Sequence, residues 1–348
     1  MTDSALPIIR PMTLAELLDR SIRLYRQNFL KFIGIFAIPY IPLMLVQTII
    51  SLISSRSLLD MDPSSGEFTP EMLTAFTGSF VFIIIQFILV QGVATAALTR
   101  AVANNYTGKP VGILDSYRTL STSWIKLLAA LFLVFVLTMI LSVWMIIPCV
   151  GWLSGPGILF FMGLVVTPLI APVISLENKG ILSSIRRAWD LSRSRFWWLI
   201  GTAFVLTLLG QLIVTGPIYL LNVILQIVLS SLPGTVEQQL IVTTIIQTLA
   251  TTFMSLLYVP LQLTIMTVVY FDLRARLEGL DLAMQMTNST TSENEVISLP
   301  DISGKTSMPL LTGIDIGRFA LLSLIGIALY GLLFMMMFFV FGLAMSGL

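Results

Sequence analysis

The sequence predicts an all-α integral membrane protein: a six-span helical bundle of three amphipathic-helix, span, span repeats, plus a seventh C-terminal span. Three observations predict it. Hydrophobic residues make up 56% of the 348 and charged ones only 11%, whereas soluble domains are about a quarter charged. Seven apolar stretches are each long enough to cross the hydrocarbon, which takes roughly 20 helical residues. Of the 19 lysines and arginines, all but Arg56 fall on one side when the spans alternate from a cytoplasmic N-terminus. That is the positive-inside pattern, and it implies a multi-pass cell-membrane protein with its C-terminus outside.

Residues 1–29 are expected to form a cytoplasmic N-terminus with an interfacial helix. They hold four arginines and no apolar run of signal-peptide length. Thr13-Leu-Ala-Glu16 is a capping-box pattern. Leu14, Leu17, Leu18, Ser21, Tyr25 and Phe29 then share one helical stripe, with Arg20 and Arg23 on other faces. A helix in the headgroup plane fits this pattern better than one packed on the bundle, because a span follows at once.

Residues 30–286 form the six-span domain, with spans near 30–54, 78–103, 126–148, 157–176, 198–231 and 239–271. A second amphipathic helix, with Ile113, Leu114, Tyr117, Leu120 and Trp124 in its stripe, precedes the third span. Pro148 to Gly157 reads as a tight hairpin. A third amphipathic helix has Ile181, Leu182, Ile185, Trp189, Ser192 and Phe196 in its stripe and four arginines beside it. Pro168, Pro172, Gly216-Pro217 and Pro260 are the expected kinks. Residues 287–316 read as a flexible cytoplasmic linker, and 317–348 as the seventh span.

The repeat shows as an ungapped alignment of Asp19–Ile35 with Arg186–Thr202. Leu24, Arg26, Phe29 and Ile33-Gly34 meet Leu191, Arg193, Phe196 and Ile200-Gly201. The middle copy is weaker, with Trp124 in place of Phe29 after a one-residue deletion.

Chemistry-bearing residues are sparse. The chain has no histidine and a single cysteine, Cys149, which excludes an internal disulfide and a multi-cysteine metal site. Gln86, Gln91, Gln211, Asn222, Gln226, Gln247 and Gln262 are the amides at membrane depth, suited to interhelical hydrogen bonds of about 0.6–2 kcal/mol each. No catalytic residue, cofactor or metal is expected, nor any nucleic-acid partner. Arg20, Arg23, Arg26, Arg118, Arg186, Arg187, Arg193 and Arg195 are the candidates for anionic headgroups. Tyr25, Phe29, Trp124, Trp189, Trp197 and Trp198 are the candidate interface anchors. Asp19, Asp115, Glu177 and Asp272 share one level and form a candidate acidic cluster; neighbouring arginines at helical spacing, Asp19 with Arg23 and Asp190 with Arg186 or Arg193, favour pairing instead.

Leu17-Leu-Asp-Arg-Ser-Ile-Arg-Leu-Tyr-Arg-Gln-Asn-Phe29 resembles the opening of the bacterial glycerophosphoryl diester phosphodiesterase membrane-domain family. Ala188-Trp-Asp-Leu-Ser-Arg-Ser-Arg-Phe-Trp197, with Glu177 just before it, is similar to that family's central signature. Tyr270-Phe-Asp-Leu-Arg274 with Glu278-Gly-Leu-Asp281 is similar to its closing motif. The resemblance covers about residues 14–286 and implies a multi-span module, in some relatives joined to a phosphodiesterase barrel. This chain lacks room for that barrel and has no histidine to serve it. The expectation is therefore a non-catalytic module: a scaffold or regulator that binds membrane lipids or another membrane protein. A lipid or small-solute transporter with a cavity between the repeats is the alternative, and an enzyme is disfavoured.

Overall fold

The computed structural model describes residues 11–59, 70–109, 111–177, 179–231, 233, 235–280 and 309–345. Most of the expected linker, 287–308, lies outside the described residues. Among those described there is no strand, and seven helices are long and apolar enough to cross a membrane. The chain is an all-α multi-pass bundle.

Helix α1, Leu14–Gln27, starts at a capping box. The Glu16 N–H donates to Thr13 Oγ1 at 3.3 Å and the Thr13 N–H donates back to Glu16 Oε2 at 2.8 Å. The first span is α2, Phe29–Leu59. The second runs from α3, Pro70–Gln86, through a π-helical stretch at Phe87–Ala94 into α4, Thr95–Tyr106. A short α5, Ile113–Arg118, precedes the third span, α6, Ser123–Trp144. The fourth is α7, Val150–Phe161, a π turn at Met162–Val166, and α8, Thr167–Glu177. Helix α9, Ile181–Ser194, leads into the fifth span: α10, Phe196–Gly210, a π turn at Gln211–Thr215, and α11, Gly216–Ser231. The sixth, α12, Val236–Glu278, is continuous through Pro260, and the seventh is α13, Gly313–Met345.

Two of the expected proline kinks become π turns. Pro168 and Pro217 lack an N–H, so the preceding turn cannot keep its i→i−4 ladder, and it widens at Met162–Val166 and Gln211–Thr215. Threonine hydroxyls satisfy carbonyls in the widened stretches: Thr167 donates to the Met162 carbonyl at 2.7 Å and Thr95 to Val90 at 2.9 Å.

Three expectations need correction. The middle stripe does not hold together, because α5 ends at Arg118 and Ser121 turns the chain with φ 47°. Leu114 is exposed, and Trp124 belongs to the next helix. The Pro148–Gly157 hairpin is shorter and earlier. The chain turns by Cys149, φ 63°, and Gly151 is already helical. A Cβ there would meet the Trp144 carbonyl oxygen at 2.1 Å, so only glycine permits that approach. The stripe of α9 is rotated by about one residue: Ser184, Ala188, Leu191 and Ser192 are buried, and Leu182 is exposed.

The core lies toward the end of the bundle that carries α1, α5 and α9. Small residues let α4 sit at its centre, where Ala96, Ala97 and Ala101 are fully buried. In α12 no residue before Pro260 is buried, and burial runs from Pro260 to Ala275. The seventh helix packs on α7 through Gly157, whose N–H donates to Ser323 Oγ at 2.7 Å. Its first turns are sealed by Phe319, fully buried with ring centroids 5.6 Å from both Phe161 and Phe196.

Candidate functional site

The last turns of α12 organise the arginine-rich end. Residues four apart share a helix face and residues two apart lie roughly 200° apart. Tyr270, Arg274 and Glu278 therefore look one way, and Asp272 and Arg276 the other.

On the first face is a buried ion cluster. Glu177 accepts the Tyr270 hydroxyl at 2.8 Å, the Arg187 Nε–H at 3.1 Å and the Lys179 ammonium at 3.1 Å. Glu278 pairs with Arg187 and accepts the Arg274 Nε–H at 2.8 Å. The side chains of Glu177 and Arg274 are 4% and 2% exposed. Burial alone would lower the Arg187 pKa; Glu177 and Glu278 outweigh it and hold the guanidinium above its ordinary value.

The other face straps α1 down. Asp272 Oδ1 accepts the Met12 N–H at 2.8 Å, and Arg276 donates to the Met12 carbonyl at 2.5 Å. Arg276 Nε lies 2.9 Å from Asp272 Oδ2, and Arg195 approaches the same oxygen at 3.9 Å. Higher up, the Tyr25 hydroxyl donates to the Leu257 carbonyl at 2.9 Å. The apolar stripe of α1 thus faces protein: Leu17, Ser21 and Tyr25 are buried, Leu14 and Leu18 are half-buried, and Phe29 is exposed. Burial pushes the Tyr25 phenol up to about 12.

A third contact joins α9 to α13. Arg193 pairs with Asp315 and donates to the carbonyls of Pro309 at 2.7 Å and Leu310 at 3.1 Å. Asp315 also accepts the Thr312 N–H at 2.9 Å and the Thr312 hydroxyl at 2.6 Å, capping the start of α13. The Trp189 indole N–H donates to the Leu310 carbonyl at 3.0 Å.

The eight candidate arginines therefore divide. Arg187 and Arg193 are committed to buried carboxylates, and Arg195 stacks over Trp198 at 5.0 Å beside Asp272. Arg186 pairs with Asp190 at 3.0 Å. Arg23, Arg26 and Arg118 are exposed, and Arg20 is half-buried. Arg20 lies over the Tyr106 ring at 4.6 Å, and Arg23 meets Asp19 at 2.7 Å with both side chains exposed. Arg26 and Arg118 are exposed and have no ionic partner among the described residues. A recess of about 440 Å³ runs beside Glu16, Asp19, Arg20, Arg23 and Tyr106. A second, lined by Ile22, Arg23 and Arg26, adjoins it.

Of the aromatic candidates, Trp197 is exposed. Trp124 rests on the core, and Trp189 packs on Phe161 and Phe319. The four acids do not share a contact. Asp19 and Asp115 are exposed, while Glu177 and Asp272 are buried in the two separate networks on opposite faces of α12.

Sequence reasoning missed Arg274, Glu278 and Asp315 as structural centres. The signal was present in part: Arg274 and Glu278 have i,i+4 spacing. Asp315 and Arg193 are 122 residues apart, beyond any local pattern. No protein-family model, no curated protein and no solved structure matches the chain.

Proposed function

We propose that the protein is a non-catalytic membrane module that holds anionic lipid headgroups at its cytoplasmic rim, with α1 as the contact surface. The observation that carries this reading is Arg20 and Arg23 beside a recess of about 440 Å³, with Arg26 on the adjoining one, on a helix strapped firmly to the sixth span. A basic residue at an anionic membrane surface contributes about 1 kcal/mol and acts over roughly a Debye length. Asp19 offsets part of this at Arg23. A fixed helix presents these charges in one geometry, so lipid association costs little additional ordering.

The residues that carry the family resemblance bear on the same proposal. Glu177, Arg193, Tyr270, Arg274 and Glu278 are engaged in buried ion pairs and hydrogen bonds. As a proposed member of that family, the chain uses its signature to hold helices together, and the arginines of α1 carry the binding.

The test is native mass spectrometry from lipid discs that mix phosphatidylglycerol with phosphatidylcholine. Replacing Arg20, Arg23 and Arg26 with glutamine is expected to abolish preferential retention of phosphatidylglycerol, while Arg186→Gln leaves it in place. Unchanged selectivity in the triple variant refutes the assignment.

A further inference from the structure

The fifth and sixth spans line a third recess, an open groove away from the arginine-rich end. It measures about 310 Å³ and is lined by Thr207, Gln211, Thr215, Ser255, Tyr258 and Gln262, with no charged residue among its walls. At 1.5 Å per residue, Thr207 to Thr215 lie roughly 17–29 Å along the span from Phe196. That places the recess within a hydrocarbon layer about 30 Å thick.

Some lining groups are already satisfied. The Tyr258 hydroxyl donates to the Leu206 carbonyl at 2.5 Å, and Thr207 donates to Ala203 at 2.9 Å. Ser255 lies beside the Tyr40 hydroxyl. The side chains of Gln211, Thr215 and Gln262 have no hydrogen-bond partner among the described residues. Elsewhere at membrane depth Asn222 and Gln247 bond each other, while Gln86, Gln91 and Gln226 also have no side-chain hydrogen bond among the described residues. The local backbone keeps the recess open. The π turn at Gln211–Thr215 widens the helix, and Gly210 lets the Tyr258 ring lie against it; a Cβ there would stand 3.0 Å from the ring.

An amide left unpaired in hydrocarbon is costly, so groups that remain so in a formed recess await a partner. Several donors and acceptors converge with no charge to balance an ion. Desolvation therefore excludes a phosphate or an ammonium, and the volume excludes a whole lipid. We infer that this recess binds the uncharged, hydroxyl-bearing end of a neutral lipid of the diacylglycerol class, its acyl chains remaining in the bilayer. Gln211 and Gln262 each offer two N–H donors and a carbonyl acceptor, and Thr215 a hydroxyl, which match an alcohol flanked by ester carbonyls. This inference stands apart from the headgroup reading, since the two sites share no residue and differ in charge.

The experiment uses the full chain in phosphatidylcholine discs containing dioleoylglycerol, read by native mass spectrometry. A dioleoylglycerol analogue carrying a diazirine at the glycerol end then maps the contact. Wild type is expected to retain dioleoylglycerol over phosphatidylcholine and to take the label within residues 207–215 and 255–262. The volume-conserving double variant Gln211→Met, Gln262→Met is expected to lower retention roughly tenfold with phosphatidylglycerol retention unchanged. Absence of preference in wild type overturns the inference, as does label elsewhere, or a folded double variant that retains the lipid fully. Should the double variant not fold, the wild-type preference and the position of the label decide.

Discussion

Removing the Asp315 carboxylate isolates what holds the seventh helix. In Asp315→Ala the Arg193 side chain, 6% exposed, loses its counter-charge. Its Nε is already unsatisfied in the intact protein. Arg193 keeps only the Pro309 and Leu310 carbonyls, and Thr312 loses the acceptor that caps α13. Breaking one side of a buried pair costs about 3–5 kcal/mol. At about 1.4 kcal/mol per factor of ten, opening of this helix end should rise by roughly two to three and a half powers of ten. Amide hydrogen exchange over residues 313–319, read by mass spectrometry, measures that opening directly. The double variant Arg193→Leu, Asp315→Leu removes both charges and is expected to recover most of the lost protection. Exchange in Asp315→Ala within threefold of wild type would refute the claim that the ion pair holds the helix.

Three further outcomes follow from the same structure. Glu177→Gln leaves Arg187 and Arg274 sharing Glu278 and removes the carboxylate that Lys179 meets, and should lower the detergent melting temperature by the equivalent of about 3–5 kcal/mol; a melt within a degree of wild type would exclude the cluster as a lock. Gly157→Ala places a Cβ 2.1 Å from the Phe319 carbonyl oxygen, and overpacking of about 1–3 kcal/mol should appear as loss of exchange protection in α13 before α12. The Tyr25 phenol, raised to about 12 from an ordinary 10.0, is neutral in the folded state while the unfolded chain ionises. Its contribution is present below pH 10 and is lost as pH rises toward 12. Melting temperatures should fall across that window, and less steeply in Tyr25→Phe.

The spans were legible because lipid imposes a length and a composition on every crossing segment. The first cap was legible too, since Thr13 and Glu16 carry the whole capping box within four residues. The direction of the α1 stripe was not legible. An apolar face that seeks lipid and one that seeks α12 have the same composition, and the deciding contact joins Met12 to Asp272. The arginines show the same limit. Asp19 with Arg23 and Asp190 with Arg186 follow from i,i+4 spacing. Arg187 and Arg193 look identical to them in sequence, yet their carboxylates arrive from the fourth, sixth and seventh spans. The turn at Ser121 was hidden because the apolar period continues through it while the backbone does not.

The strap on α1 has a consequence for the order of synthesis. Met12 and its carboxylate partner are separated by 260 residues. A ribosome adding about 5–20 residues per second needs roughly 13–52 seconds to bring Asp272 to Met12. During that interval α1 is already made, with Leu17 and Tyr25 facing no sixth span. The apolar stripe of α1 therefore gains its cover on α12 only after the sixth span has been made.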